Sequence, residues 1–535
     1  MSLTESEATQ ISAYFTNTDR PVFALTNLPE TVKGALFARY SRSPKSLRRL
    51  FLDEFYDAVG AADGADAAGG TGAVKSERAD KLYQRVFNDY GDDSVAQLGG
   101  VHLAVEDASN ILTKVLERGR LMAYLEQSTR YIPYTERRGD GWRYLVPAEL
   151  DGHPLQQQYV RTLSAAFEIY AKWIPVMQEW FASRHPKAAS DSDAVYRAAI
   201  RAKALDTLRG MLPAATQSNV GIFGTGQAYE TLLLRMRAHP LAEVRATADS
   251  MLEELRKVIP AFLTRVDQPD RGGRWSAYLE DSRKRTVELA ARLTAETVVA
   301  PADEVTLTDF DPDGEVKVVA AALYAASTVS DRDAMATARR LTAADRESVL
   351  RAYVGDRTNR RHKPGRAFER TGYRFDILTD YGAFRDLQRH RLMTIDWQAL
   401  SPRHGYVQPE AFVDAGGDRD WREVMDRSAD LYDAMCDAGF TDAAQYAVAM
   451  AYRVRFVMDM NAREAMHVIE LRTAPQGHPA YRRVCQRMHT LISEVAGHHA
   501  IAGAMQFADH SQVELERLQE ERRIEQKRER SRAGQ

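Results

Sequence analysis

The chain has 535 residues, 44% hydrophobic and 27% charged, the composition of an ordinary globular protein with room for two to four domains. Lys and Arg number 72 against 75 Asp and Glu, and no half carries a basic block, so the footprint of a general nucleic-acid binder is missing. Two cysteines are too few for a disulfide framework or a thiolate metal site, the opening MSLTESEATQ is no secretory signal, and no apolar run is long enough to span a membrane. A cytoplasmic protein is expected, and the histidines show no HExxH-like spacing, so no metal is expected.

In chain order, RPVFALTNL reads as a short strand and PETVKGALFARYSRS as the helix after it. The Gly/Ala-rich stretch 59–76 is a surface loop. DSVAQLGGVHLAVEDASNILTKVLERG carries apolar residues at three- and four-residue spacing and predicts a helix, with RGRLMAYLEQSTRYIPY at its end. SAAFEIYAKWIPVMQEWFASR predicts another amphipathic helix. DEVTLTDFD then reads as a strand and DGEVKVVAAALYAASTVS as a helix, echoing the opening pair. DLQRHRLMTIDW, which echoes the Arg118 region, is read as helical, and FVMDMNAREAMHVIELRT carries a helix pattern that follows Asn461. The charged VELERLQEERRIEQKRERSRAGQ is expected to be a solvated helix fraying into a tail. The echoes suggest two related domains, 1–300 and 301–512, before a tail at 513–535; two unrelated helical domains are the alternative.

Three clusters carry chemistry. Around Glu126, Gln127, Ser128 and Arg130, guanidinium forks suit phosphate and the carboxylate and hydroxyl suit the polar edge of a pyrimidine, although a salt-bridged helix end would use the same residues. Arg389, His390 and Arg391 place an imidazole between two guanidinium groups, a crowding relieved by a neutral ring or a bound anion. In the third, Arg463 and His467 are one helical turn apart, Asn461 can cap the helix, and Arg472 falls among apolar neighbours, so that its charge faces a cleft.

YLEQSTRYIPY, RHR and NAREAMHVIELR together resemble the flavin-dependent thymidylate synthases (ThyX), whose signature places a serine after RHR and seven intervening residues, and an NAR helix far downstream. The first repeat has Arg118-Gly119-Arg120 followed by Ser128 in EQSTRY, Arg209 in LRGMLP like the family's ARxxLP, and YGDDSVAQ with Ser94 at the family's serine. Where the family has NAR, this repeat reads GTGQ at 224–227. The second repeat keeps RHR, Asn461, Arg463, His467 and Arg472, lacks EQSxRY, and has Gln445-Tyr446 for ARxxLP. Each repeat has lost what the other retains.

The resemblance implies an α+β fold of two tandem ThyX-type domains, mostly helical with small sheets, pairing as a homodimer into a pseudo-tetramer. It implies FAD held by Ser94, Glu126, Arg389, His390, Arg391, Asn461, Arg463 and His467. It implies a nucleotide read by Glu126, Gln127, Ser128, Arg130, Arg209, Arg389 and Arg472. The implied reaction is C5-methylation of dUMP or UMP, with methylenetetrahydrofolate giving the carbon and reduced FAD the hydride after NADPH recharges it. No cysteine lies in any motif, so a cation near the uracil carbonyl must stabilise the developing negative charge, and Arg472 is the candidate. The altered motifs leave a flavin- and nucleotide-binding homologue without methylation as the alternative.

Overall fold

The computed structural model describes residues 3–41, 43–60, 97–128, 130, 132–139, 141–298 and 303–533, so Ser94 and nearly all of the expected loop at 59–76 lie outside the described residues. Helices join nine strands among the described residues. They are β1 (Gly100–Ser109), β2 (Met122–Glu126), β3 (Arg137–Arg138), β4 (Gly141–Trp142), β5 (Gln217–Thr225), β6 (Val305–Phe310), β7 (Gly372–Asp380), β8 (Thr394–Trp397) and β9 (Arg453–Asn461). The sheets run β1-β5-β2, β3-β4 and β6-β7-β9-β8, and the architecture is α+β, mostly helical with small antiparallel sheets.

The two larger sheets are built alike. In each, a strand runs into a short helix, a second strand follows, and a third strand, far downstream, inserts between the two and leads into a longer helix. The short helices are Asn110–Leu116 after β1 and Tyr381–Leu387 after β7; the longer ones are Gly226–Arg237 after β5 and Ala462–Arg472 after β9. All four are capped by a polar side chain at the end of the strand. Ser109, Asp380, Thr225 and Asn461 each accept a hydrogen bond from the backbone N–H three residues on.

Several expected helices are strands. GVHLAVEDAS forms β1, and the Arg118–Tyr134 stretch contains β2, whose residues pair antiparallel with β5 from Met122 opposite Gly224 to Glu126 opposite Val220. Arg389, His390 and Arg391 lie in the turn after the Tyr381–Leu387 helix, because Thr394–Trp397 must pair with β9 as β8. RPVFALTNL forms only an isolated bridge between Phe15 and Leu25. The C-terminal segment is not a freely solvated helix: Leu518–Ala533 packs on Asp193–Leu208, with Arg522 paired to Asp191 at 2.5 Å and Ser192 bonded to Glu525.

The chain divides into two compact units. One comprises Met1–Ala108, Gly119–Gln127 and Ser218–Thr297; the other comprises Ser109–Arg118, Ser128–Gln217 and Val298–Gln535. One boundary between the units falls at 297/298, near the expected division at 300, but the second unit also takes in Ser109–Arg118 and Ser128–Gln217 from before it. The reason is backbone pairing within the second unit: Ala214 N donates to Val448 O at 2.8 Å, Met450 N to Leu212 O at 2.9 Å and Ala451 N to Gly210 O at 2.9 Å. The first unit has a core of Ile11, Phe15, Leu36 and Phe51, and its β1-β5-β2 sheet is tied to the Gly226–Arg237 helix by the Tyr229 hydroxyl, which donates to Val101 O at 3.0 Å. In the second, alternation along β7 and β9 buries Phe375, Ile377, Phe456 and Met458, while Asp376–Arg455 and Arg374–Asp459 ion pairs line the opposite face.

Candidate functional site

Within the second unit, residues from distant parts of the chain converge on the half-buried carboxylate of Asp386, in the Tyr381–Leu387 helix. Burial pushes its pKa up, but Arg389, Arg209, Arg472 and Arg130 overcome that and hold it well below the usual carboxylate range. Arg209 Nη1 lies 3.6 Å from it. Arg130 grips Asp206 in two-pronged fashion, with Nε at 2.9 Å and Nη2 at 2.6 Å. Burial disfavours both charges, yet their attraction keeps Asp206 below its ordinary range.

The second corner is built on the Ala462–Arg472 helix, whose cap Asn461 accepts from Glu464 N at 2.9 Å. Arg472 donates Nε–H to His390 Nε2 at 2.8 Å, which requires that nitrogen to be unprotonated. Burial first, then Arg472, His467, Arg391 and Lys363, push His390 well below the ordinary histidine range, so the ring is neutral with its proton on Nδ1. Glu464 Oε1 is 3.7 Å from that Nδ1, and burial pushes its carboxyl up to about 7. Burial, followed by Lys363, Arg360, Arg472 and Arg463, pushes His467 down to about 4. His390, Glu464 and His467 thus bring metal-ligating atoms within 4.8 Å of one another. The surrounding guanidinium and ammonium groups disfavour a cation there and suit an anion.

A cavity of about 550 Å³ opens on the Asp206 and Arg209 side of the site, lined among others by Lys203, Asp206, Arg209, Asp380 and Trp421. Arg209 Nη2 and Asp380 Oδ2 are both buried and have no hydrogen-bond partner. A buried donor and acceptor left unmatched are costly unless a ligand completes them.

The remaining expected residues are less concentrated. Glu126 and Gln127 lie at the end of β2 in the first unit, where Gln127 N donates to Asn219 O at 2.9 Å. Ser128 Oγ accepts from Arg130 N at 3.3 Å in a local turn of the second unit. Arg463 is tied to Pro364 O at 3.0 Å and Arg391 to Arg389 O at 3.4 Å. Arg118, by contrast, is an exposed partner of Asp396 at 2.7 Å. Sequence reasoning missed Asp206, Asp386, Asp380, Glu464 and Lys363. A signal for the first two was present: DTLR and DLQR each put a carboxylate three residues before an arginine of the cluster.

A profile of the family described as thymidylate synthase complementing protein matches residues 46–261 and 306–497. The chain belongs to that family. An uncharacterised protein of Chlamydia pneumoniae, named only as a UPF0159 protein, is 38% identical over 96% of this chain and 97% of its own length. Another from Thermoplasma acidophilum is 30% identical over 91% of this chain. The flavin-dependent thymidylate synthase of Mycobacterium avium is 30% identical over 34% of this chain and 66% of its own length. A solved UMP/dUMP methylase from Streptomyces cacaoi, bound with 5-Br dUMP, is 18% identical and covers 40% of this chain and all of its own, but at a TM-score of 0.31 the overlap carries no weight. Among the described residues, no helix is long and apolar enough to cross a membrane.

Proposed function

We propose that the protein methylates C5 of a uridine monophosphate, dUMP or UMP, using methylenetetrahydrofolate as carbon donor, reduced FAD as hydride donor and NADPH to recharge the flavin. Family membership supports the class of reaction. The observation that carries the reading to particular residues is the gathering of Arg130 and Arg209 with Arg389 and Arg472 around Asp386. The first pair lies in one family-matched segment and the second pair in the other, which also supports a tandem duplication with motifs divided between repeats.

Arg209 would hold the nucleotide, its unpartnered Nη2 offering a donor to phosphate or carbonyl oxygens, and Arg130, engaged by Asp206, would support the site beside it. Glu126, Gln127 and Ser128 continue that motif. Arg389, His390, Arg391, Asn461, Arg463 and His467, with Ser94, would hold FAD, and the positive surroundings of His467 fit its phosphates. Bound flavin supplies hydride. Arg472, its guanidinium oriented by neutral His390, stabilises negative charge growing on the uracil carbonyl. Asp386 sets the spacing of four like-charged groups that would otherwise repel one another.

Parallel titration of the FAD-loaded protein with dUMP and UMP tests the reading. One or both should shift the flavin absorbance, and Arg209→Ala should weaken that shift about tenfold or more in concentration. A flavin spectrum indifferent to both nucleotides contradicts it.

A further inference from the structure

Lys203, Asp206, Thr207 and Gly210 recur at three- and four-residue intervals along and just beyond the Asp193–Leu208 helix, and all line the 550 Å³ cavity. Asp206 is taken up by Arg130, but Lys203 points to a different partner. Its Nζ lies 2.6 Å from Glu516 Oε1, and the two side chains are only 19% and 2% exposed. Glu516 itself lines the cavity, yet it stands beyond residue 497, where the family match ends. The C-terminal segment that delivers it is fastened just ahead of the same helix by Arg522–Asp191 and by Ser192–Glu525. A nearly buried carboxylate has thus been brought to a cavity whose ligand, on the reading above, is an anion.

Its effect is to limit the anionic charge the cavity accepts. Arg130 is neutralised by Asp206, Arg483 by Glu304 at 2.7 Å and Lys203 by Glu516, while Arg209 keeps one nitrogen unpartnered. One phosphate group can be served by that remaining donor. A second would need Lys203, which is occupied, and would meet the Glu516 charge at close range, where like charges discriminate strongly against a ligand. We infer that Glu516, by occupying Lys203 inside the cavity, is a specificity-determining residue that admits nucleoside monophosphates and rejects diphosphates. This rests on the nucleotide reading of the cavity.

The test is equilibrium dialysis of the full-length FAD-loaded protein with UMP against UDP, and dUMP against dUDP. Wild type should prefer the monophosphate by about tenfold or more. Isosteric Glu516→Gln should narrow that ratio about tenfold by freeing Lys203, and the double variant Glu516→Gln/Lys203→Gln should restore it. Lys203→Gln alone leaves the carboxylate without its cation and should widen the ratio, a readout that survives if Glu516→Gln does not fold. A ratio unmoved by either single variant, a narrowing that persists in the double variant, or no preference in wild type overturns the proposal. If no monophosphate binds wild type, the nucleotide reading itself has failed, and this inference fails with it.

Discussion

Arg472 donates its Nε–H to an imidazole, whereas Arg130 and Arg209 face carboxylates. A neutral histidine orients a guanidinium without cancelling its charge, which suits a group required to meet charge developing in the transition state. Arg472→Lys keeps the charge but loses the fork and the His390 contact. Turnover should fall about a hundredfold while nucleotide affinity, read by flavin titration, changes only a few-fold. Near-normal turnover would make Arg472 a structural helix-end residue. Glu464 carries a different signature. Its folded-state pKa of about 7 lies above the ordinary 4.5, raised by burial with Lys363 and Arg463 opposing. Its contribution to stability is therefore complete below about 4.5 and is lost as pH rises through about 7. Denaturant unfolding of wild type and Glu464→Gln across that range should show wild type losing stability relative to the variant as pH rises. A constant difference would mean that Glu464 is ionised throughout.

At the scale of elements, the caps were more legible than the strands. Asn461 was readable as a helix cap from the polar residue ahead of AREAMHVIELR, and it is one. β1 and β9 were not readable, because each runs without a loop into a helix, so a window across the junction mixes a two-residue and a 3.6-residue period. The RHR turn was hidden for a related reason: only the distant pairing of Thr394–Trp397 with β9 forces the chain out of its helix there. The Asp206–Arg130 and Arg209–Asp386 ties link residues 76 to 177 positions apart, beyond the reach of any local pattern. Asn461 also separates capping from cofactor binding. Asn461→Ala should cost about 1 kcal/mol in unfolding, whereas Asn461→Ser should keep the cap. If Asn461 also holds FAD, the serine variant will retain its stability and yet release flavin on dialysis; full flavin retention would leave Asn461 as a cap alone.

For the whole molecule, one compact unit already combines arginines from both family-matched segments, while EQSTRY is split between units, with Glu126 and Gln127 in one and Ser128 in the other. We expect two chains to pair, presenting four family domains, so light scattering should give twice the 60.1 kDa of one chain. A fully active particle of 60.1 kDa would contradict the pairing. The central claim is chemical, and one experiment meets it directly: incubate the FAD-loaded protein with NADPH, methylenetetrahydrofolate labelled at its one-carbon unit, and dUMP or UMP, then follow the label. The account predicts label in the 5-methyl group of the product nucleotide, in amounts exceeding the enzyme. Flavin that binds and is reduced by NADPH, with no label reaching either nucleotide, would contradict methylation and leave a binding protein in its place.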